Sequence, residues 1–158
     1  MGRSSAEIKV VPSSKNVANT NSILTNDKAL PMIKVNVNGV EANALVDTGA
    51  TVSVIDDDFR QSHMALKMLP LVDAGLTVYS ATDDVLPIMG FVELDLSVGR
   101  HSYLCKFIVV KGMRQKLIIG CNFMSEYNVS VNIGNERVIF QNGEEIPFTS
   151  KAKVTPGV

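Results

Sequence analysis

One aspartate of this chain stands where a carboxylate could be put to work. Leu45-Val46-Asp47-Thr48-Gly49-Ala50 sets it between two apolar residues and a hydroxyl, a glycine and a small residue. A bare Asp-Thr-Gly arises by chance in roughly one chain of this length in thirty, so the tripeptide alone decides little. Asp, Thr and Gly all favour turns, and a surface turn is the plain alternative. The surroundings argue against it. Ala44, Leu45 and Val46 run straight into the aspartate, and Val52, Val54 and Ile55 resume an apolar strand pattern after it. Chemistry at such a carboxylate would be acid–base. An amide can be hydrolysed at mild pH if one group takes a proton from water while another protonates the carbonyl oxygen. Two carboxyl groups about 3 Å apart share one proton and can fill both roles. Only one such segment is present in 158 residues.

A second segment lies further along. Leu117-Ile118-Ile119-Gly120 leads into Cys121-Asn122-Phe123-Met124, an apolar run and a glycine ahead of a short helix. In this order the two segments resemble the retropepsin-like aspartic proteases: those of retroviruses and gypsy-type LTR retrotransposons, and their domesticated relatives in animals. The resemblance covers about residues 32–148. It implies an all-β fold, an acid-protease barrel with one short helix in its C-terminal half, and an obligate homodimer. Asp47 of each chain would then supply the catalytic dyad, each exchanging roles with the other by symmetry.

The same resemblance assigns expectations to neighbouring residues. Thr48, Gly49 and Ala50 would support the active-site loop, with Thr48 bonding across the dimer axis. A flap is expected between Val78-Tyr79-Ser80-Ala81 and Leu86-Pro87-Ile88-Met89-Gly90. An extended peptide would lie beneath both flaps as an added strand, held by main-chain bonds. Its contacts are expected from Gly49, Thr51, Val52, Val78, Ser80, Ala81, Ile88 and Ile118, with Val54 a further candidate. Core packing explains each of the apolar ones at least as readily. Two departures stand out. Many retroviral members carry an acidic residue and an arginine where this chain has Thr51 and Cys121. Family flap tips usually contain glycine, whereas Ala81-Thr82-Asp83-Asp84 has none.

Composition fits a small β-domain. Apolar residues make up 46% and charged ones 20%, near globular averages. A formal net charge of −1 carries no footprint for nucleic acid or an anionic membrane surface. No apolar run approaches the roughly 20 residues of a membrane span, and Met1–Ser5 has no signal-peptide core. Together with the resemblance, these features lead to the expectation of an intracellular protein, cytoplasmic or within virus-like particles. Cys105 and Cys121 form no C-x-x-C pair, and His63 and His101 are isolated, so no metal or other cofactor is expected. The cysteines read as buried or half-buried free thiols.

Residues 1–30 are polar and read as a flexible arm or an upstream polyprotein segment. Residues 31–149 carry the protease pattern, and 150–158 form a tail. Strand patterning starts at Met32–Val37, turns at Asn38-Gly39, the favoured two-residue hairpin signal, and returns through Val40–Val46. A strand over Thr51–Ile55 follows, then a short helical segment capped by Asp56-Asp57-Asp58 with Phe59, Met64 and Leu66 as its apolar members. Val92, Leu94, Leu96 and Val98 alternate with Glu93, Asp95 and Ser97, the two-residue period of a half-buried strand. Further hairpins are expected around Gly99-Arg100, Gly134-Asn135 and Asn142-Gly143. Three functions compete: a protease that matures a Gag-Pol-like retroelement polyprotein, a domesticated protease with a cellular substrate, and a catalytically idle dimerisation module.

Overall fold

The alternation in the middle of the chain becomes the longest strand of a closed barrel. The computed structural model describes residues 7–9, 30–75, 77–79, 82 and 84–149, the side chains of 7–9, 77 and 78 excepted. Its strands are β1 (Glu7–Lys9), β2 (Met32–Val37), β3 (Val40–Val46), β4 (Val54–Asp56), β5 (Thr77–Tyr79) and β6 (Val85–Leu86). They continue as β7 (Ile88–Val98), β8 (His101–Val110), β9 (Leu117–Ile119), β10 (Ser130–Asn132), β11 (Arg137–Ile139) and β12 (Glu145–Pro147). Six of them close in the order β2-β3-β9-β4-β8-β7, with two three-stranded sheets beside them, β1-β5-β6 and β10-β11-β12.

Register follows from burial. On β7, Val92, Leu94, Leu96 and Val98 all face the core, and Glu93 and Asp95 face solvent. Slipping β7 by one residue would expose four apolar side chains, each worth about 1.5–3 kcal/mol when buried, and would bury two carboxylates. The β2–β3 hairpin turns on Asn38 and Gly39 at φ 47° and 89°, so Val37 sits opposite Val40 across a two-residue loop. Asn38 Oδ1 also accepts the Asp95 N–H at 2.9 Å, tying this turn to β7.

Helices are more numerous than the one expected in the C-terminal half. That helix is α3 (Cys121–Glu126), and among the described residues two more precede it, α1 (Asp57–Gln61) and α2 (Met64–Lys67). The single segment expected over Phe59–Leu66 is split at Ser62 and His63. Asp56 caps α1 by accepting the Phe59 N–H at 3.2 Å. Phe59 and Leu66 are buried, but Met64 is 67% exposed and belongs to no core. The strand expected over Thr51–Ile55 begins only at Val54: the Thr51 carbonyl turns to the Asn122 N–H at the start of α3, while the Ser53 carbonyl already accepts the Ile108 N–H of β8. Glu7–Lys9 is a strand within the segment read as an arm, and Ser80, Ala81 and Asp83 lie outside the described residues.

The apolar interior divides into two clusters. The larger fills the barrel with Ile33, Val35, Leu94, Leu96, Phe107 and Phe123 among others. The smaller joins Leu45, Ala50, Val54, Ile108, Val110 and Ile118 behind the Asp-Thr-Gly loop. A ring cluster of Tyr103, Phe123, Tyr127 and Phe140 fastens α3 and the β11 end to β8, with Tyr103 and Phe140 stacked at 5.4 Å. Tyr127 Oη donates to the Leu104 carbonyl at 2.7 Å, so the helix that backs the loop is anchored at both ends.

Candidate active site

β3 delivers Asp47 to the barrel rim and the loop then folds around it. The Asp47 N–H donates to the Ile119 carbonyl at 2.9 Å, so β9 holds the aspartate's own backbone. Its Oδ1 accepts the Gly49 N–H at 2.9 Å, and its carbonyl accepts the Ala50 N–H at 3.1 Å. Asp47 is only 2% exposed, whereas Thr48 and Gly49 beside it face outward and Ala50 is buried. A buried carboxylate aimed by its own loop is an acid–base group held in one orientation. This is the opposite of a surface turn.

The loop is braced from behind without charges. The Cys121 N–H donates to the Ala50 carbonyl at 2.8 Å and the Asn122 N–H to the Thr51 carbonyl at 3.2 Å. The Cys121 thiol reaches the Thr48 carbonyl at 3.3 Å. At the positions where many retroviral members pair an acid with an arginine, Thr51 is here bonded to Asn122 and Cys121 to Ala50 and Thr48, all by neutral groups. Gly120 lies at φ −105°, open to any residue, yet it must be small. A Cβ there would fall on the Val52 carbonyl and within 2.8 Å of the Ala50 carbonyl.

Sequence reasoning missed the centre of this brace. Ser53 is fully buried, accepts the Gly120 N–H at 3.0 Å and donates to Asn122 Oδ1 at 2.8 Å. One hydroxyl thus joins the strand after the aspartate to the glycine and the helix that back it. The available signal was a serine between Val52 and Val54 in an apolar strand. Cys105, on β8 beneath Ser53, is buried, and burial pushes its thiol up to about 11. Both cysteines are free.

Two cavities flank the loop. One of about 320 Å³ is lined by Leu30, Pro31, Val46, Asp47, Thr48, Val131 and Ile133. The other, about 270 Å³, is lined by Val52, Ala74, Phe91, Lys106, Ile108 and Asn122. Of the expected peptide contacts, Gly49 and Thr51 are exposed, Val52 and Ile88 are half-buried, and Ile118 is fully buried in the smaller core cluster. Val78 contributes its backbone to β5. Among the described residues no cluster of His, Cys, Asp or Glu could hold a metal ion, and no helix is long and apolar enough to cross a membrane.

The family model for the "gag-polyprotein putative aspartyl protease" matches residues 33–126, well over half of the chain, and takes in both the Asp-Thr-Gly loop and its brace. The chain belongs to this family. Curated relatives include DNA damage-inducible protein 1 of Chaetomium globosum, 27% identical over 123 residues. That match covers 77% of this chain and 27% of the relative. Another is UBA domain-containing protein Mud1 of Schizosaccharomyces pombe, 24% identical over 77% of this chain and 36% of its own length. The chain thus spans about a third or less of these relatives. Among solved structures, the retroviral protease-like domain of Ddi1 from Leishmania major superposes with a TM-score of 0.65 at 17% identity, covering 78% of this chain and 96% of that domain. An inhibitor complex of the EIAV protease superposes at 0.54 with 16% identity over 65% and 92%. The family member described here therefore has the retropepsin-like fold.

Proposed function

We propose that this chain is an aspartic endopeptidase whose active site is completed by a second copy of itself. The observation that carries this is Asp47: one buried carboxylate, fixed by its own loop and braced by β9 and α3, beside an open cavity. Amide hydrolysis by a water-activating carboxylate pair needs two such groups, and the Asp-Thr-Gly segment occurs once. A two-fold axis beside Thr48 and Gly49 brings two Asp47 carboxyls together. Sharing one proton, the ionised carboxylate takes a proton from water while the protonated partner gives its own to the scissile carbonyl oxygen. The resulting tetrahedral intermediate collapses with the amine as leaving group, and the roles reverse.

The apolar lining beside Asp47 supports a partner there. Ile133 is 47% exposed on the loop after β10, and β10 is bonded to β11 on one side only among the described residues. The substrate is an extended peptide that the Gly49 and Thr51 backbones and the flap hold by main-chain bonds. The family's name supports a Gag-Pol-like polyprotein as that substrate; its processing in the cytoplasm or in virus-like particles is part of the same proposal. A second reading, a domesticated protease with a cellular substrate, is supported by relatives named for DNA-damage induction and for a UBA domain.

Asp47→Asn removes both proton acceptors of the dyad at once. Purified variant should lose cleavage of a peptide library at pH 4–7 while still sedimenting as the wild-type dimer. Undiminished cleavage, or an active species that sediments as a monomer, would overturn the assignment.

A further inference from the structure

The β5–β6 hairpin, which spans the stretch where a flap is expected, already carries a strand from its own chain. β1 lies parallel to β5, with Glu7 opposite Thr77, Ile8 opposite Val78 and Lys9 opposite Tyr79. On its other side β5 pairs with β6, Val78 opposite Leu86 and Tyr79 opposite Val85. β5 is therefore bonded along both edges, one of them by a segment about 70 positions away in the sequence.

A peptide added as a strand needs a flap edge that still has main-chain donors and acceptors. The hairpin offers two outer edges, and they are unequal. β6 has two residues and runs into Pro87, which has no N–H to give. The Pro87 carbonyl accepts the Lys111 N–H at 3.1 Å, and Ile88 pairs with Val110, so the chain there is committed to the barrel. The outer edge of β5 is the one suited to an incoming strand. Glu7–Lys9 occupies it.

We propose that Glu7–Lys9 is an internal competitor for the flap edge that receives the substrate, and so regulates the proteolysis proposed above, on which this inference rests. Being part of the same chain, the segment competes as an intramolecular ligand, independent of protein concentration. A strand of three residues binds weakly, so the edge is shared between closed and open forms. Apparent affinity for substrate then falls by the fraction of molecules that are open. An edge occupied between half and nine-tenths of the time raises KM about two- to tenfold. It leaves kcat unchanged, because the bound complex is the same once the segment is displaced.

The test uses the full chain with Ile8→Pro and Lys9→Pro together. A parallel ladder draws its donors from alternate residues, so two adjacent prolines remove one whichever set is used. The variant should show KM lower by about two- to tenfold with kcat within about twofold of wild type. In an Asp47→Asn background, where no substrate is consumed, amide exchange at Thr77–Tyr79 should be faster in the double-proline chain and unchanged in the barrel strands. An active chain whose KM ignores the prolines overturns the proposal, and it does so even if exchange responds, since β1 would then be structural only. A wild-type chain that cleaves no peptide sinks the endopeptidase reading first and this one with it. The two failures are thus told apart by wild-type activity.

Discussion

Gly120→Ala is a one-methyl change at a position whose backbone any residue could adopt, and it should be among the more damaging small substitutions in the chain. At φ −105° no conformational strain is involved. Space alone decides. The added Cβ would meet the Val52 carbonyl, with the Ala50 carbonyl 2.8 Å away, and neither is the yielding end of a side chain. Both carbonyls belong to the segment that follows Asp47, so relief must come from moving that segment. Overpacking of this kind costs about 1–3 kcal/mol. In a chain of this size each kcal/mol lowers the melting temperature by about 2–4 °C, giving a drop of about 2–12 °C. A catalytic loop displaced by about 1 Å loses on the order of a hundredfold in rate. Thermal unfolding followed by circular dichroism, with peptide cleavage on the same samples, measures both. Gly134→Ala is the control, since a Cβ there meets nothing nearer than Asn132 Oδ1 at 3.6 Å; it should stay within about 0.5 kcal/mol of wild type. Equal melting of the two variants, or Gly120→Ala within about 1 °C of wild type, would refute the steric account.

Three further outcomes follow from the same geometry. Ser53→Ala leaves the buried Gly120 N–H without its acceptor and Asn122 without its donor; it should cost about 1–3 kcal/mol in urea unfolding, and an unchanged midpoint would show that water replaces the hydroxyl. Cys105, buried and with its thiol raised to about 11, should resist an aqueous disulfide reagent at pH 8 until the chain is unfolded, whereas half-exposed Cys121 should react in the folded state; simultaneous labelling of both would contradict the packing around Ser53. The hydrogen bond from His101 and that from the Arg100 N–H hold the Glu144 carboxyl below its usual range. A native value below the unfolded one stabilises at pH above the ordinary carboxylate range, and that stability is lost as pH falls through the lower native value. Glu144→Gln should therefore narrow the difference in stability between pH 6 and pH 3, and an identical acid limb in both chains would remove Glu144 from the account.

How much of this was legible beforehand depended on whether a feature is written in residue type or in contact. The β7 alternation and the Asn38-Gly39 turn are local, and both appear as expected. The split between α1 and α2 was not visible. Phe59 and Leu66 carry the apolar period, and Met64 joins it by type alone while standing in solvent. The late start of β4 was hidden for a different reason: Val52, Val54 and Ile55 have strand character, but the Thr51 carbonyl is spent on the N–H of Asn122 in α3. A competition between ladder and brace leaves no mark in propensity.

The candidate site divides along the same line. Asp47, Thr48 and Gly49 stood out by residue type, through the resemblance, and Gly120 stood out beside them; the structure adds that neighbours leave no room for a Cβ at Gly120. The missing acid and arginine at Thr51 and Cys121 were legible only as an absence. What stands in their place, amide bonds to the Ala50 and Thr51 carbonyls and a thiol on the Thr48 carbonyl, uses backbone groups that every residue carries. That substitution has a physical consequence. A charged pair at this point would carry a large desolvation penalty and a response to salt, whereas neutral bonds to a buried loop carry a smaller penalty and almost no response to salt. The rigidity of the Asp47 loop in this chain should therefore rest on packing and backbone geometry, with Ser53 and Gly120 at its centre, and be nearly indifferent to ionic strength.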